Sequence, residues 1–253
     1  MVTRSVARAI LAFAILSTSA GCGSLIPWKG KLPDELNLAL LVRKNQLFIE
    51  SATIASKKGR FLLGTAAPTT ILSSDFIKRE ALTPEEQTSV RLGGRRAVSI
   101  TPVTSDLQGM GDAILGIDVW KSGSLSIDYN SGLATFSQKT DFVTDDMMVS
   151  DFVEAPAVDI VIDGKSSRAL IDTTVPDALI VPPSVATGTG ANSRANVDVV
   201  LAGYLFRNVG VRVAAVPQVR IGNRLLSKFL VAVDYKRKRV GLWRDPRTDS
   251  KIE

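Results

Sequence analysis

Short apolar runs, many of them β-branched, recur along residues 46–245 and are divided by Gly, Asn, Asp and Ser. The stretches QLFIESATIA (46–55) and AVDIVIDG (157–164) alternate partly between apolar and polar positions, then run into KKG and DGKSS. That pattern predicts half-buried strands closed by turns. VRLGGRRAVSI (90–100) predicts a hairpin about Gly93-Gly94. LSIDYNSGLATF (125–136) and FLVAVDYKRKRVGLW (229–243) predict hairpins turning at Asn130–Gly132 and Lys236–Lys238. Helical periodicity is confined to SSDFIKREA (73–81), with Ser73 or Ser74 as cap, and GNRLLSKF (222–229). The chain therefore reads as mostly β.

The same pattern occurs twice. LLGTAAPTTIL (62–72) aligns with LIDTTVPDALI (170–180), setting Gly64 on Asp172, Thr65 on Thr173 and Pro68 on Pro176. Further on, residues 115–136 align without a gap on 221–242, setting Gly116 on Gly222 and Asp128-Tyr129 on Asp234-Tyr235. Two blocks in one order at nearly one spacing define an internal repeat. It divides the chain into a lobe at 32–140, a linker at 141–151, a lobe at 152–245 and a tail at 246–253. The joint collects Asp141, Asp145, Asp146, Asp151 and Glu154 without periodicity, the composition of a solvated connector rather than a cation site.

The N-terminus has another pattern. Arg4 and Arg8 precede the apolar run Ala9–Leu16, and small residues lead to Cys22. A cationic start, a short apolar centre and a small-residue exit are the plan of a secretory signal over 1–21, and the run is too short to span a bilayer. SAGC resembles a bacterial lipobox, departing from it at Ser19, where an aliphatic residue is usual. The resemblance implies acylation of Cys22, a tether over 22–31 and a cell envelope location, on the outer membrane facing the periplasm since Gly23 replaces the retaining aspartate. The alternative is a cleaved signal and a secreted or periplasmic protein.

Composition narrows the chemistry. The 253 residues contain one cysteine and no histidine, which excludes Ser-His-Asp and Cys-His sites, a conventional zinc site and an internal disulfide. The net charge of +6 owes two units to Arg4 and Arg8, and no basic run is interleaved with aromatics, so nucleic acid is not the expected partner. No cofactor or metal is called for. KRKR (236–239) reads as a solvated hairpin tip, with anionic lipid as its alternative contact, and TGTGANS (187–193) as a link without phosphate-loop character. Trp28, Trp120 and Trp243 read as core or interface aromatics.

The two loops resemble the active-site loop of retropepsin-like and pepsin-like aspartic proteases, which is a hydrophobic pair, then Asp-Thr-Gly, a small residue and a following β strand. ILG at 114–116, RIG at 220–222 and the Asp-Tyr hairpin closing each lobe resemble later elements of that family. The resemblance implies two homologous acid-protease-like β lobes packed as a pseudo-twofold unit. It also implies that one carboxylate from each lobe shares a proton over a water, while the following threonines brace the two loops across the interface.

This chain departs from that pattern. Asp172 and Thr173 are followed by Thr174 in place of glycine, and the first loop reads Gly64, Thr65, Ala66. One acid is gone and both glycines are replaced. A lone carboxylate lacks the shared proton that activates water, and removing half of such a unit removes most of its rate. β-branched Thr174 is also poorly suited to a glycine-specific backbone. Asp75 and Asp112 are the nearest candidates to substitute for the missing acid, Asp112 reading as structural; Asp128 and Asp234 read as turn residues, and Asp177 as exposed. The expectation is an inactive protease-like lipoprotein binding a peptide or partner protein in its cleft, with Asp172 the only candidate catalytic residue. The alternatives are an endopeptidase that pairs two Asp172 by homodimerising, and a purely structural envelope protein.

Overall fold

The computed structural model describes residues 34–83, 85–186, 190 and 192–245. The signal segment, Cys22, the tether, Trp28 and the tail lie outside the described residues, as does most of the 187–191 link.

The first lobe opens with β1 (Glu35–Arg43), β2 (Gln46–Ile49), β3 (Ala52–Ile54), β4 (Phe61–Leu63) and β5 (Ile71–Ser73). Helix α1 (Ser74–Glu80) follows, then β6 (Thr88–Leu92), β7 (Arg96–Ile100), β8 (Val103–Ser105) and β9 (Ala113–Leu115). A turn of helix, α2 (Ile117–Trp120), and the hairpin β10 (Ser124–Asp128) and β11 (Leu133–Ser137) complete it. The second lobe has β12 (Met148–Asp151), β13 (Ala157–Ile162), β14 (Lys165–Ile171), β15 (Leu179–Val181), β16 (Arg194–Leu201) and β17 (Tyr204–Val213). It closes with β18 (Val219–Ile221), α3 (Asn223–Leu226), β19 (Leu230–Asp234) and β20 (Arg239–Trp243).

Sequence reasons for these elements are local. In β1, Leu36, Leu38 and Leu40 alternate inward with polar or small neighbours outward, the period of a strand covered on one side. The span 46–55 is not one strand: Glu50 and Ser51 turn the chain between β2 and β3. Ser73 caps α1 by accepting from the Phe76 amide at 3.0 Å, and Ala81 ends it in the left-handed region at φ 52°. The helix expected over 222–229 is shorter. Asn223–Leu226 form one turn before the chain bends back into β19.

The repeat is built into the pairing. Antiparallel β10 and β19 join the lobes, and Ser126 pairs with Ala232. Those residues correspond to each other in the repeat, so a pseudo-twofold axis passes between them. β11 and β20 flank this pair, and β1 and β12 lie outside them, giving a continuous sheet across both lobes. β2, β4, β9, β5 and β8 extend it in the first lobe, while β13–β18 form a closed barrel in the second. In both lobes the strand before the signature loop runs parallel to the strand ending in the later glycine: Leu62 pairs with Ile114, and Leu170 with Arg220.

Gly116 and Gly222 end those later strands where no side chain fits. A Cβ at Gly116 would stand 2.4 Å from the Thr69 carbonyl oxygen, and one at Gly222 2.3 Å from that of Asp177.

Part of the acidic joint is ordered into the sheet, with Met148–Asp151 forming β12 against β20. Asp141 in the same joint takes Arg237 at 3.1 Å and also pairs with Arg239. Two of the four KRKR cations are thereby tied down, and the Lys238 ammonium donates to the Val153 carbonyl at 2.7 Å. The tip is thus a closed turn whose Lys236, Arg237 and Lys238 remain exposed, the solvated hairpin tip that the sequence predicts. Trp120 is fully buried against Phe136, and Trp243 is half-buried on β20.

Candidate functional site

The two signature loops follow β4 and β14 and meet on the pseudo-twofold axis. The Thr65 hydroxyl donates to the Ile171 carbonyl at 2.5 Å and accepts from the Thr173 amide at 3.1 Å. Reciprocally, the Thr173 hydroxyl donates to the Leu63 carbonyl at 2.6 Å and accepts from the Thr65 amide at 3.2 Å. Both threonines are fully buried. Each hydroxyl satisfies one donor and one acceptor of the other lobe, so the loops lock only when both lobes are in place.

Outer braces come from the closing hairpins. The Tyr235 hydroxyl, from the second lobe, donates to the Thr65 carbonyl at 3.1 Å. Tyr129, its counterpart in the first, donates to the Asn223 side-chain oxygen at 2.8 Å. The Asn223 amide nitrogen then donates to the carbonyls of Thr173 at 2.7 Å and Asn45 at 2.6 Å. Burial holds both phenols well above the ordinary tyrosine range by penalising the phenolate.

Both carboxylate oxygens of Asp172 have partners within the chain. One carboxylate oxygen accepts from Arg220 Nη1 at 3.0 Å. The other accepts from the amide and hydroxyl of Thr174 at 3.0 and 2.6 Å. The residue is 2% exposed. All three of these donors belong to the second lobe, so both carboxylate oxygens are engaged within their own lobe and neither is bonded across the interface.

Across the interface the matching position is occupied by packing. A Cβ built on Gly64 would fall 2.6 Å from Ile114 Cγ2 and 3.0 Å from the Leu115 carbonyl. Ile114 is the repeat counterpart of Arg220. Where the second lobe has Asp172 with Arg220, the first has Gly64 with Ile114, so the pair changes together from ionic to apolar. Ile114 then joins Phe48, Leu62 and Leu107 in a small hydrophobic cluster, with Leu41, Ala67 and Ile71 against it. Thr174 is not strained: neither it nor Ala66 has a positive φ, so a β-branched side chain is accommodated and its hydroxyl turns back onto Asp172.

Of the other acids, all but Asp75 have structural partners. Asp112 accepts from the Arg60 amide at 2.7 Å and from both terminal nitrogens of Arg79 at 3.1 Å. Asp75 is exposed in the first turn of α1. Asp128 receives the Asn130 and Ser131 amides, and Asp234 the Arg237 amide, closing their hairpin turns. Asp177 is not free on the surface, since it pairs with Arg212 at 2.8 Å and is mostly covered. Arg220, Ile114 and Asn223 were not singled out from sequence, although a charged residue facing isoleucine in the aligned RIG and ILG was a visible signal for the first two.

Beside these loops, Ala66, Pro68 and Ile117 of the first lobe face Val153, Leu170 and Gln218 of the second across a pocket of about 420 Å3. Val153 is 77% exposed there.

No protein-family model matches the chain, and no curated protein sequence matches it. Among solved structures it is similar to the aspartic proteinase from Irpex lacteus, with a TM-score of 0.57 at 12% identity over 87% of this chain and all of that one. The chain therefore has the bilobal, mostly β fold of pepsin-like aspartic proteinases.

Proposed function

We propose that this chain is a lipid-anchored protein of the bacterial cell envelope that keeps the acid-protease scaffold without its hydrolytic chemistry and holds a segment of peptide or partner protein between its lobes. The observation that carries the reading is the environment of Asp172: an arginine and a threonine, with Gly64 and Ile114 across the interface where a second carboxylate belongs. Catalysis of this type needs two acids near one water. The Thr65–Thr173 lock and both tyrosine braces are intact, so the scaffold is retained for something other than bond cleavage.

The pocket lined by Ala66, Ile117 and Val153 supports peptide binding, because it opens where the lobes face each other and exposes apolar surface. The lobes resemble duplicated retropepsin-like units, and Cys22 is the proposed acylation site. Homodimerisation through Asp172 is the weaker reading, since the first lobe already occupies the face that a second copy would need. A purely structural role draws on the burial of Asp172 and Gly64.

The test has two arms. The purified chain is incubated with an unfolded protein substrate between about pH 3 and pH 7 beside Asp172→Ala, and mixed with a peptide library to detect retention. The reading expects retention with no cleavage; cleavage that Asp172→Ala abolishes overturns it. Labelled palmitate incorporation that Cys22→Ser removes checks the anchor.

A further inference from the structure

Beside the apolar cluster around Ile114, the first lobe has a second concavity of about 370 Å3. Its apolar lining includes Leu41 and Phe48, paired across β1 and β2, and Met110, which is 37% exposed. Leu41 and Phe48 belong to the same cluster as Leu62 and Ile114, so the concavity continues the sheet face that flanks the Gly64 loop.

Its rim is cationic. Arg43, Lys44 and Arg60 line it, with Glu50 the one acid beside them. Neither Arg43 nor Lys44 forms an ion pair among the described residues. Arg60 reaches Asp112 only at 3.9 Å and leaves its side chain 58% exposed.

The repeat makes this asymmetry visible. Arg60 corresponds to Arg168 in the second lobe. That arginine is neutralised by Asp159 at 3.1 Å and donates to the Asp151 carbonyl. The acid at the place of Asp159 is replaced in the first lobe by Ser51. One arginine of the matched pair is committed within the protein and the other is not.

The rim is also held in place. Lys44 and Asn45 form the tight β1–β2 turn with φ of 49° and 59°, and the Asn45 carbonyl is fixed by Asn223 of the second lobe. A cationic rim presented by a braced turn over an apolar floor is preorganised for a ligand with the opposite charge and an apolar side chain.

We infer that this concavity binds an acidic peptide segment, with carboxylates on Arg43, Lys44 and Arg60 and an apolar side chain on Leu41, Phe48 and Met110. The inference rests on the peptide-binding reading above and names the ligand class. A peptide suits the site better than a lipid. The space has the size of a side-chain or small-ligand pocket, in the range of roughly 300–1,000 Å3, and its lining mixes Arg43, Lys44, Gln46, Glu50 and Arg60 with the apolar residues, where an acyl chain would need an apolar wall throughout.

Calorimetry with two blocked octapeptides tests it, one alternating glutamate with leucine and the other lysine with leucine, at about 50 and 300 mM salt. The acidic peptide is expected to bind at least about tenfold tighter at low salt, the preference shrinking at high salt and vanishing in R43Q/K44Q. Those substitutions are on an exposed turn, so an unchanged melting temperature shows that the fold is kept.

Equal binding of both peptides, or an acidic preference that R43Q/K44Q leaves unchanged, overturns the inference. If binding is charge-blind and is lost instead in Val153→Arg, the peptide-binding reading stands and this site does not. Binding of neither peptide overturns this inference, and the peptide-binding reading falls with it only if the peptide library is not retained either. Binding only to vesicles containing phosphatidylglycerol, dependent on Arg43 and Lys44, assigns the rim to a membrane and overturns the peptide ligand.

Discussion

Replacing Asp172 separates a structural carboxylate from a catalytic one by its effect on stability. Asp172→Ala removes an acceptor of three hydrogen bonds and strands Arg220, whose Nε already lacks a partner. Hydrogen bonds to charged groups contribute about 1.5–3 kcal/mol each, and breaking a buried pair costs about 3–5 kcal/mol. The Arg220 side chain is 35% exposed, so water recovers part of the loss. The expected destabilisation is about 2–4 kcal/mol. Arg220→Met should cost as much or more, because it leaves a carboxylate only 3% exposed without its countercharge. Replacing both with apolar residues, as in Asp172→Val with Arg220→Met, should recover most of the loss. Urea denaturation followed by tryptophan fluorescence measures all three. A change below about 0.5 kcal/mol in Asp172→Ala, together with loss of a measurable peptidase activity, would refute the structural assignment.

Thr65→Val keeps the shape but removes two interlobe hydrogen bonds. It should cost about 2–3 kcal/mol, and a cycle with Thr173→Val should show coupling of about 1 kcal/mol or more. Gly64→Asp should destabilise the fold through the clash with Ile114 without creating a protease, and Ile114→Ala in the same chain should restore part of the stability. Tyr129 and Tyr235 ionise less readily when folded than unfolded, so the folded state binds more protons above the ordinary tyrosine value near 10. Stability should be level below about pH 10 and fall above it, with a shallower fall in Y129F/Y235F; alkaline denaturation curves check the slope.

The repeat and the two-lobed β fold were legible because they rest on local period and on self-similarity between 62–72 and 170–180. That Gly64 stands where the repeat sets Asp172 was legible for the same reason. What packs against each of them was not. Ile114 and Arg220 lie about 50 residues from the loops they complete, and only the parallel pairing of Leu62 with Ile114 and Leu170 with Arg220 brings them there. Thr174 misled for a related reason: a family glycine implied a backbone requirement that this loop does not have. The KRKR tip is solvated as read, but its countercharge was not visible, because Asp141 is in the joint and meets Arg237 and Arg239 only when β20 is in the sheet.

The pairing of β10 with β19 also sets an order of events for the nascent chain. When the first lobe leaves the ribosome, the open edge of β10 and the Thr65 hydroxyl await partners that have not been synthesised. Contacts spanning more than a hundred residues, such as Ser126 with Ala232 and Thr65 with Thr173, close slowly because the loop entropy is lost before they form. The first lobe therefore spends the synthesis of the second as an unfinished sheet. An unpaired strand edge is a template for the wrong neighbour. A holding chaperone, or a rate of synthesis matched to the closing of this sheet, becomes part of what the duplicated architecture requires.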